Sequence, residues 1–300
     1  MNCEKNSAAI SADCELLYNR SINEEIFKLD FVWPGAAPKA GQFFMVKPKR
    51  SAVFLPRPIS LANWQRAAED PDFIRRKARS GKTPYLRYLM GKFLESDTIS
   101  FLIARRGRGT NELAAMQSGE TAELIGPLGN AWSDFLPKVK KDGGKKVALV
   151  SGGIGIAPLN ALLYEKPDYG FVMHAGFKKG FRSLDEKNLL LGASYLGSEN
   201  IILATENGKD IKKEPAKNHG RITDFLEPEK YAAVCACGPE AMLAVTAKKC
   251  AAAGVPCYVS MERHMACGVG ACLGCTVATT KGNRRCCADG PIFSSAEVLF

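Results

Sequence analysis

The chain has 300 residues, of which 46% are hydrophobic and 24% charged, with a net charge of +10. That composition argues against a disordered chain, and the length exceeds what a single hydrophobic core usually organises. No apolar run approaches the ~20 residues needed to span a bilayer, and the opening residues MNCEKNSAAI lack the charged-then-apolar order of an export signal, so a cytoplasmic protein without a membrane partner is expected. The basic residues fall in short scattered runs such as Arg75-Arg76-Lys77, Lys178-Lys179 and Lys212-Lys213, which reads as solvated surface and phosphate contacts rather than a nucleic-acid groove.

The first 125 or so residues carry short β-like runs, among them Gln42 to Val46 and Thr98 to Ile103, punctuated by proline and glycine, as in a small antiparallel barrel. Arg57-Pro58-Ile59-Ser60 follows a strand-like stretch and offers a guanidinium, a hydroxyl and backbone donors suited to a phosphate-bearing flavin. The polar stretch from Gln65 to Asp97 is too long for an ordinary connection and reads as an insertion, with a helix over Pro84 to Leu94.

The character changes at Lys145. Val147 to Val150 is a buried-strand run, followed by Ser151-Gly152-Gly153-Ile154-Gly155-Ile156-Ala157-Pro158 and an apolar helical stretch to Tyr164. A glycine-rich turn between strand and helix presents unpaired N–H groups and the positive end of a helix dipole to a pyrophosphate, although this turn is not the G-x-G-x-x-G fingerprint. Further strands are expected at Phe171 to His174, Ile201 to Ala204 and Ala232 to Ala236, giving a doubly wound α/β domain that ends in a helix from about Glu240 to Ala252. Cys237-Gly238-Pro239-Glu240 occupies the equivalent strand-to-helix turn at a later strand, on the edge where α/β proteins bind ligands. His174 and His219 need no part in the chemistry, since hydride transfer to a flavin requires no side-chain base.

Eleven cysteines remain to be explained. Cys3, Cys14, Cys235, Cys237, Cys250 and Cys257 are dispersed, whereas Cys267, Cys272, Cys275, Cys286 and Cys287 crowd into one short tail. The spacing Cys267-x4-Cys272-x2-Cys275, with a distal cysteine at 286 or 287, has the plant-type form of [2Fe–2S] ligation by four thiolates. Structural zinc is the competing reading, but zinc motifs more often come as two short cysteine pairs. Cys286 and Cys287 are adjacent, and only one is expected to reach iron. The tail, from 257 to 300, is expected to be a small module ending in a loop with few regular elements.

Along the chain come RPIS at 57 to 60, GRGT at 107 to 110, GPLGNAW at 126 to 132, GGIGIAPL at 152 to 159, CGPEAML at 237 to 243, MACGVGACLGC at 265 to 275 and CADGPIF at 287 to 293. This succession resembles the electron-transfer subunits of bacterial NAD-dependent dihydroorotate dehydrogenase, within the ferredoxin–NADP reductase superfamily. The resemblance implies an FAD-binding barrel over 1–126, an NAD-binding α/β domain over 127–256 and a [2Fe–2S] module over 257–300. It implies FAD contacts from Arg57, Pro58, Ile59, Ser60, Gly109 and Thr110, and NAD(H) contacts from Gly152, Gly153, Gly155, Ala157, Pro158, Gly238 and Pro239, with Cys237 as the candidate catalytic residue near the nicotinamide and flavin. Cys267, Cys272, Cys275 and, as the cysteine before the Asp-Gly-Pro turn, Cys287 would ligate the cluster.

The family's middle flavin segment, usually Leu-Tyr-Arg, is here Leu102, Ile103 and Ala104, so that either Arg105 or the insertion replaces the missing contacts or flavin binding is altered. The basic residue usual after the fourth cysteine is replaced by Ala288. The implied partner is an FMN-containing catalytic subunit that oxidises dihydroorotate, in a heterotetramer of two copies of each. A different redox partner, such as a sulfur reductase or hydrogenase, and a redox-sensing module are the alternatives. NADH is implied by the resemblance, while Lys178, Lys179 and Arg182 lie where a 2′-phosphate could be held.

Overall fold

The computed structural model describes residues 9–68, 92, 95–137, 144–179, 196–206 and 218–300. Most of the expected insertion, with its helix at Pro84 to Leu94, lies outside the described residues, as does Arg182. Two compact units form, the first from the chain up to Pro38 together with Phe43–Leu128, the second from Lys39–Gln42 and Gly129–Phe300.

The first unit is a closed antiparallel barrel of β1 (Ile10–Ser21), β2 (Ile26–Val32), β3 (Phe43–Pro48), β4 (Arg57–Gln65), β5 (Thr98–Ala104) and β6 (Thr121–Leu128), in the order β1-β2-β5-β4-β3-β6. Closure leaves no free sheet edge. Phe44 lies edge-on to Trp33 at 4.9 Å and to Phe101 at 5.5 Å, and all three rings are buried. Helix α1 (Arg108–Ala115) follows β5, and its C-terminal carbonyls are satisfied by Asn19 Nδ2, 3.0 Å from the Ala114 oxygen and 2.7 Å from that of Met116.

The second unit is a seven-stranded sheet. Its strands are β7 (Val147–Gly152), β8 (Phe171–Phe177), β9 (Ile201–Thr205), β10 (Asn218–His219), β11 (Ala233–Cys237), β12 (Cys257–Ser260) and β15 (Ile292–Ser294), in the order β10-β9-β8-β7-β11-β12-β15. All neighbours are parallel except β15, which runs antiparallel to β12. Val147, Ala148, Leu149 and Val150 are fully buried, the signature of a parallel strand covered on both faces. Helices α2 (Ile156–Glu165) and α3 (Glu240–Ala252) follow β7 and β11.

The cysteine-rich tail departs from the sequence expectation of a loop with few regular elements. It holds the hairpin β13 (Thr276–Thr279) with β14 (Gly282–Arg285), the one-turn helix α4 (Cys286–Asp289), and β15. Tyr258 pairs with Ser294 and Ser260 with Ile292, so the tail's last strand is part of the nucleotide-type sheet. Short strands rich in Thr, Gly and Arg carry no apolar alternation, and their pairing is set by distant partners rather than by local pattern. Among the described residues no helix is long and apolar enough to cross a membrane.

His174, on β8, is buried, and its Nε2 lies 2.8 Å from the Tyr231 hydroxyl, while Nδ1 has no hydrogen-bond partner among the described residues. Burial pushes its pKa down to about 4, with Glu227 opposing. The unfolded chain therefore takes up a proton near pH 6.5 that the folded chain refuses until about pH 4, so stability is retained above pH 6.5 and lost as the pH falls through that window. About 2 kcal/mol of the stability lost between pH 7 and pH 5 should come from this residue. Urea unfolding of His174→Gln at both pH values should show a correspondingly weaker pH dependence, and an unchanged dependence would refute this.

Candidate functional site

Three constellations are candidate sites, one on the barrel and two on the sheet unit. On the barrel, Arg57 opens β4 and its guanidinium donates to the Leu55 carbonyl at 2.8 Å. The first turn of α1 lies beside it. A Cβ on the buried Gly109 would come within 2.4 Å of Arg57 Nε, so a side chain there would displace the guanidinium. Thr110 Oγ1 accepts from the N–H groups of Arg106 and Gly107 at 2.9 and 3.2 Å, closing the turn. A guanidinium beside a helix N-terminus is a two-part anion site, and the donor set fits the diphosphate of a dinucleotide.

Leu102 and Ile103 are buried in β5, and Ala104 pairs with Ile26. Arg105, one candidate substitute for the family's cationic contact, instead lies over the Phe27 ring at 4.7 Å. Removing the guanidinium by Arg57→Ala should weaken FAD binding by about 1.5–3 kcal/mol, roughly ten- to a hundredfold. Flavin titration of the apoprotein measures this, and an unaltered Kd would discard Arg57 as a flavin ligand.

On the sheet unit, the turns after β7 and β11 pack directly on one another. A Cβ on Gly155 would come within 2.3 Å of the Cys237 carbonyl oxygen, and one on Gly152 within 2.6 Å of Pro239 Cδ. Gly238, with φ of 156°, would meet the Gly152 nitrogen at 2.8 Å. Gly152, Gly155 and Gly238 thus serve the close approach of turn to turn. Gly153, with φ of 55° and open space at its Cβ position, is the glycine free to face a ligand.

The N-terminus of α2, with the buried Ala157 and Pro158 in its first turn, lies at this edge and brings the positive end of its dipole there. Cys237 ends β11, half-buried, and burial raises its pKa to about 12 against a hydrogen bond with Ser260, so it is a neutral thiol at physiological pH. Lys178 and Lys179 follow β8 directly.

The third constellation is the cysteine loop. Cys275 and Cys287 lie with their sulfurs 3.2 Å apart. The Gly270 N–H donates to Cys287 Sγ at 3.0 Å, the Val269 and Cys272 N–H groups to Cys267 Sγ at 3.5 Å each, and the Cys287 N–H to Cys275 Sγ at 3.4 Å. Partial burial pushes the Cys267 thiol up, but the N–H groups of Cys272, Val269 and Ala271 outweigh it and bring the pKa down to about 6, before any metal contributes.

Cys286 faces elsewhere. It is fully buried, its thiol donates to the Met261 carbonyl at 3.0 Å, and burial pushes its pKa up to about 12. The two adjacent cysteines occupy a helical turn, in which successive side chains point in different directions. Gly270 has φ of 81°, and Leu273, 60% exposed, has φ of 59°, uncommon for a residue with a side chain. Four thiols, backbone N–H donors aimed at three of them and a tightly turned exposed loop fit an iron–sulfur cluster.

Asn130 stands in the GPLGNAW segment, where the sequence gives it no role of its own. It is buried beside the turn after α4, and nothing local signals that its partners lie some 160 residues away.

An antiparallel barrel with an anion site, a parallel sheet with a glycine-lined ligand edge and a cysteine loop define a ferredoxin-reductase-like electron-transfer oxidoreductase. Residues 262–299 match the family described as the iron–sulfur cluster binding domain of dihydroorotate dehydrogenase B. The chain is 36% identical over 265 residues to a dihydroorotate dehydrogenase B (NAD(+)), electron transfer subunit, of Clostridium perfringens, covering 87% of each chain. It is 31% identical over 291 residues to the protein of the same name from Caldanaerobacter subterraneus subsp. tengcongensis, covering 95% of this chain and 97% of that one.

Among solved structures, the fold is similar to an NADH-dependent reduced ferredoxin-NADP oxidoreductase, with a TM-score of 0.67 and 22% identity over 96% of this chain and 90% of the other. It is also similar to a ferredoxin NADP+ reductase from Neisseria gonorrhoeae, with a TM-score of 0.55 and 18% identity over 85% and 95% of the two chains. The chain belongs to the family of electron transfer subunits of dihydroorotate dehydrogenase B (NAD(+)).

Proposed function

We propose that this chain passes electrons from an FMN-containing, dihydroorotate-oxidising catalytic subunit through a [2Fe–2S] cluster and FAD to NAD+. Family membership supports the overall reaction. The observation on this chain that carries it is the cysteine loop, with Cys275 and Cys287 in sulfur contact and N–H groups directed at Cys267, Cys275 and Cys287. Bound FAD supplies the exchange between a two-electron hydride carrier and a one-electron cluster.

The chain's own residues bind and orient. Arg57 and the first turn of α1, with Gly109 and Thr110, would hold the FAD diphosphate, and Pro58, Ile59 and Ser60 the flavin end, beside Leu102, Ile103 and Ala104. Gly153, Ala157 and Pro158, with the Gly152, Gly155, Gly238 and Pro239 turn pair behind them, would hold NAD(H). Cys237 would lie near the nicotinamide as a neutral thiol, contributing shape and a weak S–H donor rather than a nucleophile. Cys267, Cys272, Cys275 and Cys287 would be the cluster ligands.

By division of labour the chain then falls into 1–126 for FAD, 127–256 for NAD(H) and 257–300 for the cluster, although β15 is shared with the sheet. We place the protein in the cytoplasm, in a heterotetramer of two copies each of this chain and the catalytic subunit.

The test is anaerobic stopped-flow spectroscopy of the cofactor-loaded chain with NADH, with and without the co-expressed catalytic subunit. Flavin bleaching followed by cluster reduction, and dihydroorotate-dependent reduction of NAD+ only in the complex, is the expected result. Reduction by NADH without any response to dihydroorotate in the complex would leave the relay intact and remove the partner assignment. A flavin inert to NADH would remove the relay.

A further inference from the structure

We propose that Asn130 is a positioning residue for the iron–sulfur cluster, setting where the Cys287 sulfur stands by clamping the far end of α4. This rests on the reading of Cys287 as the fourth ligand. Helix α4 spans only Cys286–Asp289, one turn, and a single turn does not hold its own geometry in water. Its carbonyl end must be satisfied from outside.

Asn130 makes four hydrogen bonds around that end, two to the carbonyls of Asp289 and Gly290 where the turn closes and two to Ile292, the first residue of β15. Its backbone N–H donates to the Gly290 carbonyl at 2.7 Å, and its Nδ2 donates to Ile292 O at 2.8 Å and to Asp289 O at 3.3 Å. Its Oδ1 accepts from the Ile292 N–H at 3.0 Å. The residue is 7% exposed, so its amide is committed to these partners and not to water.

The other restraints on α4 do not replace the clamp. Arg285 and Asp289 form a two-pronged pair at 2.9 and 3.1 Å, but both are attached to the helix they would have to fix. Cys286 ties the start of the helix to the Met261 carbonyl, and the Met261 N–H reaches Pro291 O at 2.9 Å. The C-terminal end, two residues beyond Cys287, is held from the sheet unit's own entry segment through Asn130. Deleting the amide removes the three side-chain bonds, leaves the backbone bond to Gly290 O, and so loosens the end of the turn while leaving every cysteine in place. The Cys287 sulfur then loses its fixed distance to the Gly270 N–H and to Cys275 Sγ.

The experiment compares the reconstituted holoprotein with Asn130→Ala, with the milder Asn130→Ser, which can keep one of the side-chain bonds, and with Phe171→Leu. Phe171 is buried at the start of β8, at the opposite end of the strand from the ligand edge, and serves as a destabilised control matched in Tm. Cys287→Ser is run alongside. The readouts are iron release to EDTA and the EPR spectrum of the dithionite-reduced cluster, with flavin reduction by NADH as an independent channel.

Asn130→Ala is expected to release iron at least tenfold faster than Phe171→Leu at equal Tm, with altered g-values, Asn130→Ser falling between, and flavin reduction within twofold of the unaltered chain. Iron release and spectrum equal to those of the control would make Asn130 a residue of general stability and overturn the proposal. If Asn130→Ala does not fold, Asn130→Ser against the control decides by the same criteria. A Cys287→Ser protein that keeps an unaltered cluster would instead overturn the ligand reading beneath it, an outcome distinct from the first.

Discussion

Cys287→Ser should leave the chain with almost none of its [2Fe–2S] signal, while Cys286→Ser keeps it. The two residues are neighbours, both are fully buried, and both thiols are raised to about 12, chiefly by burial. What separates them is direction. Cys287 Sγ is 3.2 Å from Cys275 Sγ and accepts the Gly270 N–H at 3.0 Å, the environment that stabilises a thiolate on iron. Cys286 Sγ–H is spent on the Met261 carbonyl.

Serine at 287 replaces a soft thiolate with a harder oxygen and loses the ligand type that the cluster requires. Serine at 286 can still donate to Met261 and should cost on the order of 1 kcal/mol of stability. Iron and sulfide analysis with EPR of the reduced protein measures both variants. Retention of a normal cluster in Cys287→Ser, or its loss in Cys286→Ser alone, would reverse the assignment.

Gly155→Ala should all but abolish flavin reduction by NADH while the chain still binds FAD. The added methyl would stand 2.3 Å from the Cys237 carbonyl oxygen and 2.6 Å from its carbon, and both are backbone atoms. They cannot swing away as a side chain would, because Ser151 pairs with Cys237 and Val150 with Ala236 across β7 and β11. Either the first turn of α2 moves or the two strand ends part, at a cost of about 1–3 kcal/mol. In both cases the N–H groups at the ligand edge lose their common orientation, and a displacement of about 1 Å in a bound hydride donor is enough for a hundredfold loss of rate.

Gly153→Ala is the instructive comparison. Its Cβ position is open, and only its φ of 55° resists the change, so the cost should be about 1–2 kcal/mol, without the clash. Stopped-flow reduction by NADH, alongside the Tm of each variant, separates the two. A Gly155→Ala protein reduced as fast as the unaltered chain would show that the turn-to-turn packing has no bearing on nucleotide chemistry.

Much of the architecture was legible because it rests on local pattern. The run Val147 to Val150 is a fully buried parallel strand, and Glu240 to Ala252, followed by Gly254 and Pro256, forms a helix with the bounds expected of it. The cysteine spacing pointed to a cluster because a loop that wraps inorganic iron and sulfide needs its ligands a few residues apart. The tail was less legible. Residues 276–285 lack alternation, and β15 exists as a strand because β12 offers it an edge. Arg105 could be named as a substitute flavin contact, but only the fold shows its guanidinium over Phe27.

By itself, then, the sequence determined the order of barrel, nucleotide sheet and cysteine loop, and the residue types able to hold a flavin, a nicotinamide nucleotide and iron. These are written in periodicity and short spacing, which depend on near neighbours alone. The tertiary structure decided which of two adjacent cysteines faces Cys275, which glycines serve the packing of one turn on another and which one is open, and that Asn130 grips the end of α4. Each of these depends on contacts between segments from 12 to about 160 residues apart in the chain.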